Sequence, residues 1–173
     1  MTVSTPARTR THIWKDPLET AQAARGMAGL DFLRKIIAGE LPQPPIAYTL
    51  DYALQEVEPG RAVFGFKPAE IHYNPIGMVH GGIPCTLLDS AMGCAVHSTL
   101  PAGVGYTTLE IKVNIIKAIG KDTGFLRAEG KLIHAGRSTA VAEARLVDDA
   151  GKLYAHATST CMILQPVQAP REA

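Results

Sequence analysis

Two features of the 173-residue chain are of a kind that could do chemistry, and both fall in one segment. The first is Asp89, which has Cys85, Thr86, Met92 and Gly93 at its three- and four-residue spacings. A carboxylate on an otherwise apolar helix is costly unless it is paired or has a task. Two readings fit it: a structural hydrogen bond to backbone or to a helix cap, or a reactive carboxylate. The second feature is His80-Gly81-Gly82. Two glycines at a helix start let another group approach free backbone N–H donors, where the helix dipole favours negative charge. That suits the oxyanion of an acyl-transfer intermediate. The plainer reading is a glycine hinge, with His80 as a hydrogen-bonding residue at the helix start. Gly81 and Asp89 are eight residues apart, or about 12 Å along a helix rising roughly 1.5 Å per residue. One carbonyl cannot touch both. Two such helices, antiparallel across a two-fold axis, would bring Asp89 of one subunit beside Gly81 of the other. The spacing therefore predicts a site shared at a dimer interface.

The elements that must position these residues follow from periodicity. His80 to Leu100 reads as a helix, with Pro84 inside its first turn. Ile83, Leu87, Leu88, Ala91, Met92, Cys94, Ala95 and Val96 cover nearly every face, which predicts burial on all sides. Upstream, Ile46, Tyr48, Leu50, Tyr52 and Leu54 alternate, Glu58-Pro59-Gly60 turns the chain, and Arg61 to Lys67 alternates again, giving a hairpin. Downstream, strands are expected around Leu109–Ile115, Leu126–Leu132, Ala140–Leu146 and Leu153–Leu164, joined by turns such as Asp148-Asp149-Ala150-Gly151. Short connections make them antiparallel neighbours. Before all of this, Pro17 to Glu40 is helical, with a stripe of Leu30, Leu33, Ile36 and Ile37 and with Gly26 and Gly29 weakening its first half. Residues 1–16 read as a loose tail.

An all-round apolar helix and a one-sided sheet have a joint solution in which the sheet curls around the helix. The expected class is α+β, the hotdog architecture, with an added N-terminal helix. The expected division is an N-terminal tail and accessory helix over 1–45, the hotdog domain over 46–165 and a C-terminal tail over 166–173. The outer faces and one edge of such a sheet are free for subunit contact, so a homodimer or homotetramer is expected.

Hydrophobic residues make up 46% and charged residues 19%, the balance of one globular domain. A net charge of +1 gives no electrostatic reason to expect nucleic acid. Apolar runs stop well short of the ~18 residues of a membrane span. Cys85, Cys94 and Cys161 have neither disulfide-scaffold nor metal spacing, and His97, His134 and His156 give no zinc pattern, so no metal is expected. The polar start, Met1 to Arg10, is followed by no apolar run, so a reducing, cytoplasmic setting is expected. No Ser or Cys stands in a G-x-S-x-G elbow.

The segment His72 to Leu164 resembles the PaaI-like acyl-CoA thioesterases of the hotdog superfamily. The resemblance is carried by His72-Tyr73-Asn74-Pro75-Ile76-Gly77-Met78-Val79-His80-Gly81-Gly82, by Asp89 and Gly93, and by Thr107-Thr108-Leu109 with Asn114. The turn Gly136-Arg137-Ser138 and the strand Ala140 to Arg145 fit as well. The spacing Asn-x5-His-Gly-Gly-x6-Asp is far more specific than His-Gly-Gly alone.

The resemblance implies hydrolysis of an aryl- or medium-chain acyl-CoA to free acid and CoA, with no cofactor, since CoA is part of the substrate. Asp89 takes the place of the acidic residue that attacks the thioester or activates a water. Gly81 takes that of the N–H that polarises the carbonyl, and His80 fixes the loop and orients the thioester. Asn74 matches a polar residue that positions the attacking group. A hydroxyl on the strand after the helix corresponds to Thr108, taken as lying on the polar face of its strand, or to Thr107. For CoA itself the candidates are Gly82 and the basic residues Arg137 and Lys117, with Lys121 nearby; ordinary solvated charge is the alternative for each. Two other readings compete: a non-catalytic acyl-CoA-binding hotdog module, and a hotdog hydratase. The apolar N-terminal helix is expected to cover the acyl tunnel, with its stripe buried against either its own sheet or a neighbouring subunit.

Overall fold

The computed structural model describes residues 7–165. Its centre is a six-stranded antiparallel sheet in the order β1-β2-β4-β5-β6-β3. The strands are β1 (Tyr52–Glu58), β2 (Arg61–Phe66), β3 (Gly105–Ile115), β4 (Leu126–Ala135), β5 (Thr139–Asp148) and β6 (Leu153–Leu164). The sheet curls around one long helix. Three helices precede β1: α1 (Pro17–Arg25), α2 (Gly29–Ile37) and α3 (Pro45–Leu50); the central helix is α4 (Gly82–His97). This is the α+β hotdog architecture.

The sheet can wrap so tightly because its inner face is built from small residues. Ala128, Ala142, Ala144 and Ala157 are each at most 1% exposed. At Gly130 the approach is closest: a Cβ there would lie 2.2 Å from the Ala91 carbonyl oxygen and 2.7 Å from the Met92 nitrogen. Backbone of α4 thus rests on backbone of β4. Leu87, Leu88, Met92 and Val96 fill the remaining space, all buried.

Four expectations change. Burial of α4 is incomplete: Cys85, Thr86, Asp89, Ser90, Cys94 and His97 form a half-buried stripe along it. The helix expected over Pro17 to Glu40 is two helices, broken at Gly26–Ala28; Gly29 opens α2 by donating its N–H to the Leu100 carbonyl at 2.9 Å. The strand expected from Ile46 begins only at Tyr52. Pro44 and Pro45, with φ preset for a first helical turn, start α3 instead, and Asp51 in the left-handed region (φ 60°) ends it. Finally, the residues of the expected loose tail that lie within 7–16 are tied down. Arg10 and His12 hydrogen-bond the Tyr48 carbonyl at 3.3 and 3.2 Å, and Arg8 pairs with Glu70 at 2.7 Å. The tail expected over 166–173 lies outside the described residues. No helix among the described residues is long and apolar enough to cross a membrane.

Candidate active site

The loop before α4 is held by Asn74. Its side-chain oxygen accepts the N–H groups of Ile76 and Met78, both at 3.1 Å. Gly77, at φ 80°, supplies the left-handed residue of the turn. The chain then returns alongside itself, with His80 N–H donating to the His72 carbonyl at 2.8 Å. Asn74 thus shapes the loop that delivers the helix start.

At that start His80 Nδ1 accepts the Gly82 N–H at 2.9 Å. Gly82 is therefore spent as a donor. Of the two glycines, Gly81 is the one whose N–H is left without an acceptor among the described residues, and Gly81 is the N-cap of α4, at its positive end.

Two turns along α4, Asp89 accepts a hydrogen bond from the Thr108 hydroxyl at 3.0 Å. Thr107, its neighbour on β3, is exposed. Strict alternation would set Thr108 on the same face as Glu110 and Lys112, away from the helix. A β-bulge between Thr108 and Glu110 changes the phase. Leu109 is extruded, 56% exposed, and Thr108 turns inward with Tyr106. Thr108 thus lies on the face opposite to the one the periodicity assigned.

The Asp89–Thr108 pair opens on a cavity of about 370 Å³. One wall is the stripe of α4, with Ser90, Cys94 and His97; Tyr52, Phe64 and Tyr106 come from the sheet, and Phe32, Leu33 and Ile36 of α2 form the roof. Tyr52 and Ser90 share a hydrogen bond at 3.1 Å. His97 is stacked on Phe32 with centroids 5.6 Å apart and meets Tyr106 edge-on at 5.5 Å. Burial pushes the Cys94 thiol up to about 12 and raises the Tyr52 and Tyr106 phenols, while it lowers His97 below the ordinary imidazole value. At neutral pH these four groups are uncharged, which suits an apolar guest beside a carboxylate.

Leu33 and Ile36 belong to the stripe expected to cover an acyl tunnel, whereas Phe32, Tyr52, Phe64, Ser90, Cys94, His97 and Tyr106 were not singled out as a site from the sequence. The signal was there: Ser90, Cys94 and His97 continue the helical stripe that begins at Thr86 and Asp89.

Gly81 and Asp89 do not meet within the chain. Gly81 lies at the far end of β3, where a Cβ on it would sit 2.9 Å from Ile115 Cδ1. The CoA candidates are also apart. Arg137 is exposed on the β4–β5 turn, whose next strand residue Thr139 is level with Met162 and so with Thr107 of β3. Lys117 is exposed just beyond Ile115, its N–H on the Tyr154 carbonyl at 3.1 Å, and Lys121 donates its N–H to the Tyr73 hydroxyl at 2.8 Å. Among the described residues no three His, Cys, Asp or Glu side chains converge as metal ligands.

Comparison with known proteins gives this geometry its context. The family model of the thioesterase superfamily matches residues 76–155, a span that holds Gly81, Asp89 and Thr108. The chain is 30% identical to 1,4-dihydroxy-2-naphthoyl-CoA hydrolase of Listeria monocytogenes, over 61% of this chain and 84% of that protein. A solved structure of a phenylacetic acid degradation-related protein from Ralstonia eutropha is 30% identical, with a TM-score of 0.67, covering 75% of this chain and 98% of that one. The PaaI protein of Escherichia coli, 18% identical, shares the fold with a TM-score of 0.68 over 78% of this chain and 94% of its own. A free backbone donor at the start of the central helix and a hydroxyl-held carboxylate two turns on thus sit in the matched span, and the chain belongs to the thioesterase superfamily, as a hotdog-fold thioester hydrolase.

Proposed function

We propose that the protein hydrolyses acyl-CoA thioesters whose acyl group is an aryl or medium-chain one, at a site completed by a second subunit. The observation that carries this reading is the Asp89–Thr108 pair at the wall of a largely apolar cavity. The cavity takes the acyl group, and the thioester carbonyl lies at Asp89. The Thr108 hydroxyl occupies one carboxylate oxygen and so leaves the other to act.

In the general-base route a water bonds to the carbonyl carbon as its proton passes to Asp89. The oxyanion is held by Gly81 N–H of the partner subunit, the C–S bond breaks, and the proton goes to the CoA thiolate. In the nucleophilic route the carboxylate bonds to the carbon first, CoA leaves, and water opens the anhydride. Both give free acid and CoA thiol.

Sheet geometry supports the shared site. β3 is an edge strand with Leu109 and Ile115 exposed, the sort of edge that pairs with another chain. An antiparallel two-fold pairing centred between Ile111 and Lys112 would set Thr108 opposite Ile115 of the partner subunit. Gly81 of the partner subunit would then face Asp89. The same pairing would bring Lys117 of the partner subunit to the end of the sheet where Arg137 lies, so that the two could hold CoA phosphates together. The curated relative named as a naphthoyl-CoA hydrolase supports an aryl acyl group.

The test is thiol release with a chromogenic reagent across aryl- and straight-chain acyl-CoAs. The protein is expected to turn over members of that panel, Thr108→Ala to lose about tenfold in kcat, and Thr108→Ser to keep most of it. Thr107→Ala is expected to match the wild type. Binding without thiol release would overturn the reading.

A further inference from the structure

We propose that Phe32 of α2 is the stop that sets the length of the acyl group, so that a segment outside the family-model match supplies part of the specificity. The proposal rests on the thioesterase reading above. With the thioester at Asp89, the cavity runs along α4 past Ser90 and Cys94 to His97. Asp89 and His97 are eight residues apart, about 12 Å of helix. There Phe32 lines the cavity beside His97, its ring stacked on the imidazole at 19° between planes, and so lies where the far end of the acyl group arrives. An extended acyl chain advances about 1.3 Å per bond, so about eight or nine carbons, or a ring-bearing group of that length, fill the distance.

Phe32 is held firmly enough to act as a wall. Gly29 bonds the Leu100 carbonyl at 2.9 Å and lies so close to α4 that a Cβ on it would be 1.8 Å from the His97 carbonyl oxygen. Leu33 and Ile36, on the turns beside Phe32, are 3% and 7% exposed. The family match begins at Ile76, beyond this whole segment. Cys94 flanks the middle of the path on a different element and offers an independent handle.

The experiment is thiol release from straight-chain acyl-CoAs of increasing length by the full chain. The wild type is expected to peak near eight carbons. Phe32→Ala should move the peak to longer chains, with the ratio of long-chain to eight-carbon kcat/KM rising about tenfold, since each buried methylene is worth roughly three- to fourfold. Phe32→Leu should move it by less in the same direction. Cys94→Phe should move it to shorter chains. If Phe32→Ala does not fold, the milder Phe32→Leu decides the matter with the same readout. A folded Phe32 variant whose profile keeps its shape, or falls equally at all lengths, overturns the stop while leaving the thioesterase reading intact. No thiol release from any acyl-CoA by the wild type overturns the thioesterase reading, and the stop with it.

Discussion

Asp89→Asn is expected to release CoA thiol at about one thousandth of the wild-type rate, with the fold unchanged. The substitution is nearly isosteric. An amide oxygen can still accept the Thr108 hydroxyl, whose bond to Asp89 is 3.0 Å, so the geometry persists while charge and basicity go. A neutral amide neither takes a proton from water nor attacks a carbonyl, and losses of about 10²–10⁴ are usual when a general base is removed. Stability should not suffer, because a carboxylate beside an apolar cavity contributes little to folding and can oppose it. The checks are kcat on an acyl-CoA that the wild type turns over, and thermal melting of both proteins. Undiminished hydrolysis by the variant would remove Asp89 from the mechanism.

Gly130→Val is expected to damage the fold severely, costing about 3–5 kcal/mol. The atoms that its Cβ would meet, the Ala91 carbonyl at 2.2 Å and the Met92 nitrogen at 2.7 Å, are helix backbone and cannot swing aside. Either α4 lifts from β4 or the strand bows outward, and both open the alanine-lined core. A loss of that size is a large part of the ~5–15 kcal/mol that a domain has. Gly65→Ala is the control, because its Cβ would meet only the ends of the Gln55 and Phe125 side chains. Thermal or denaturant unfolding should show a large drop for Gly130→Val and a modest one for Gly65→Ala. Equal melting of Gly130→Val and the wild type would contradict this account of how the sheet closes on the helix.

Much of this architecture was legible in the sequence because its signals are periodic. The apolar run of α4, the alternation in the four later strands and the turn at Asp148–Gly151 needed no tertiary information. What escaped was set by contacts rather than by pattern. Ile46 to Leu54 alternates as well as any strand, yet Pro44-Pro45 starts a helix there, because a fixed φ outweighs a weak β preference. The bulge at Leu109 leaves no trace in the alternation, so Thr108 was placed on the wrong face. The open stripe on α4 depends on how far the sheet wraps. Cys94 and His97 continue that stripe in the sequence, whereas Phe32, on a separate helix, became visible as a cavity wall only in three dimensions. The separation of Gly81 and Asp89 needed only the helix rise, and from it came the expectation of two chains at each site.

That expectation is best tested by mixing two inactive variants. Asp89→Asn removes the carboxylate. Gly81→Pro removes the free N–H at a residue whose φ of −59° a proline can adopt, and its Cβ would meet the movable end of Ile115. In a mixed dimer, one site combines Asp89 from the Gly81→Pro chain with Gly81 from the Asp89→Asn chain and is intact, while the other site lacks both. Each variant alone should release almost no thiol. After unfolding and refolding together, random pairing should restore about a quarter of wild-type activity, since half the dimers are mixed and each has one working site of two. Mixed dimers, verified with differently tagged chains, that stay as inactive as their parents would contradict a site shared between subunits.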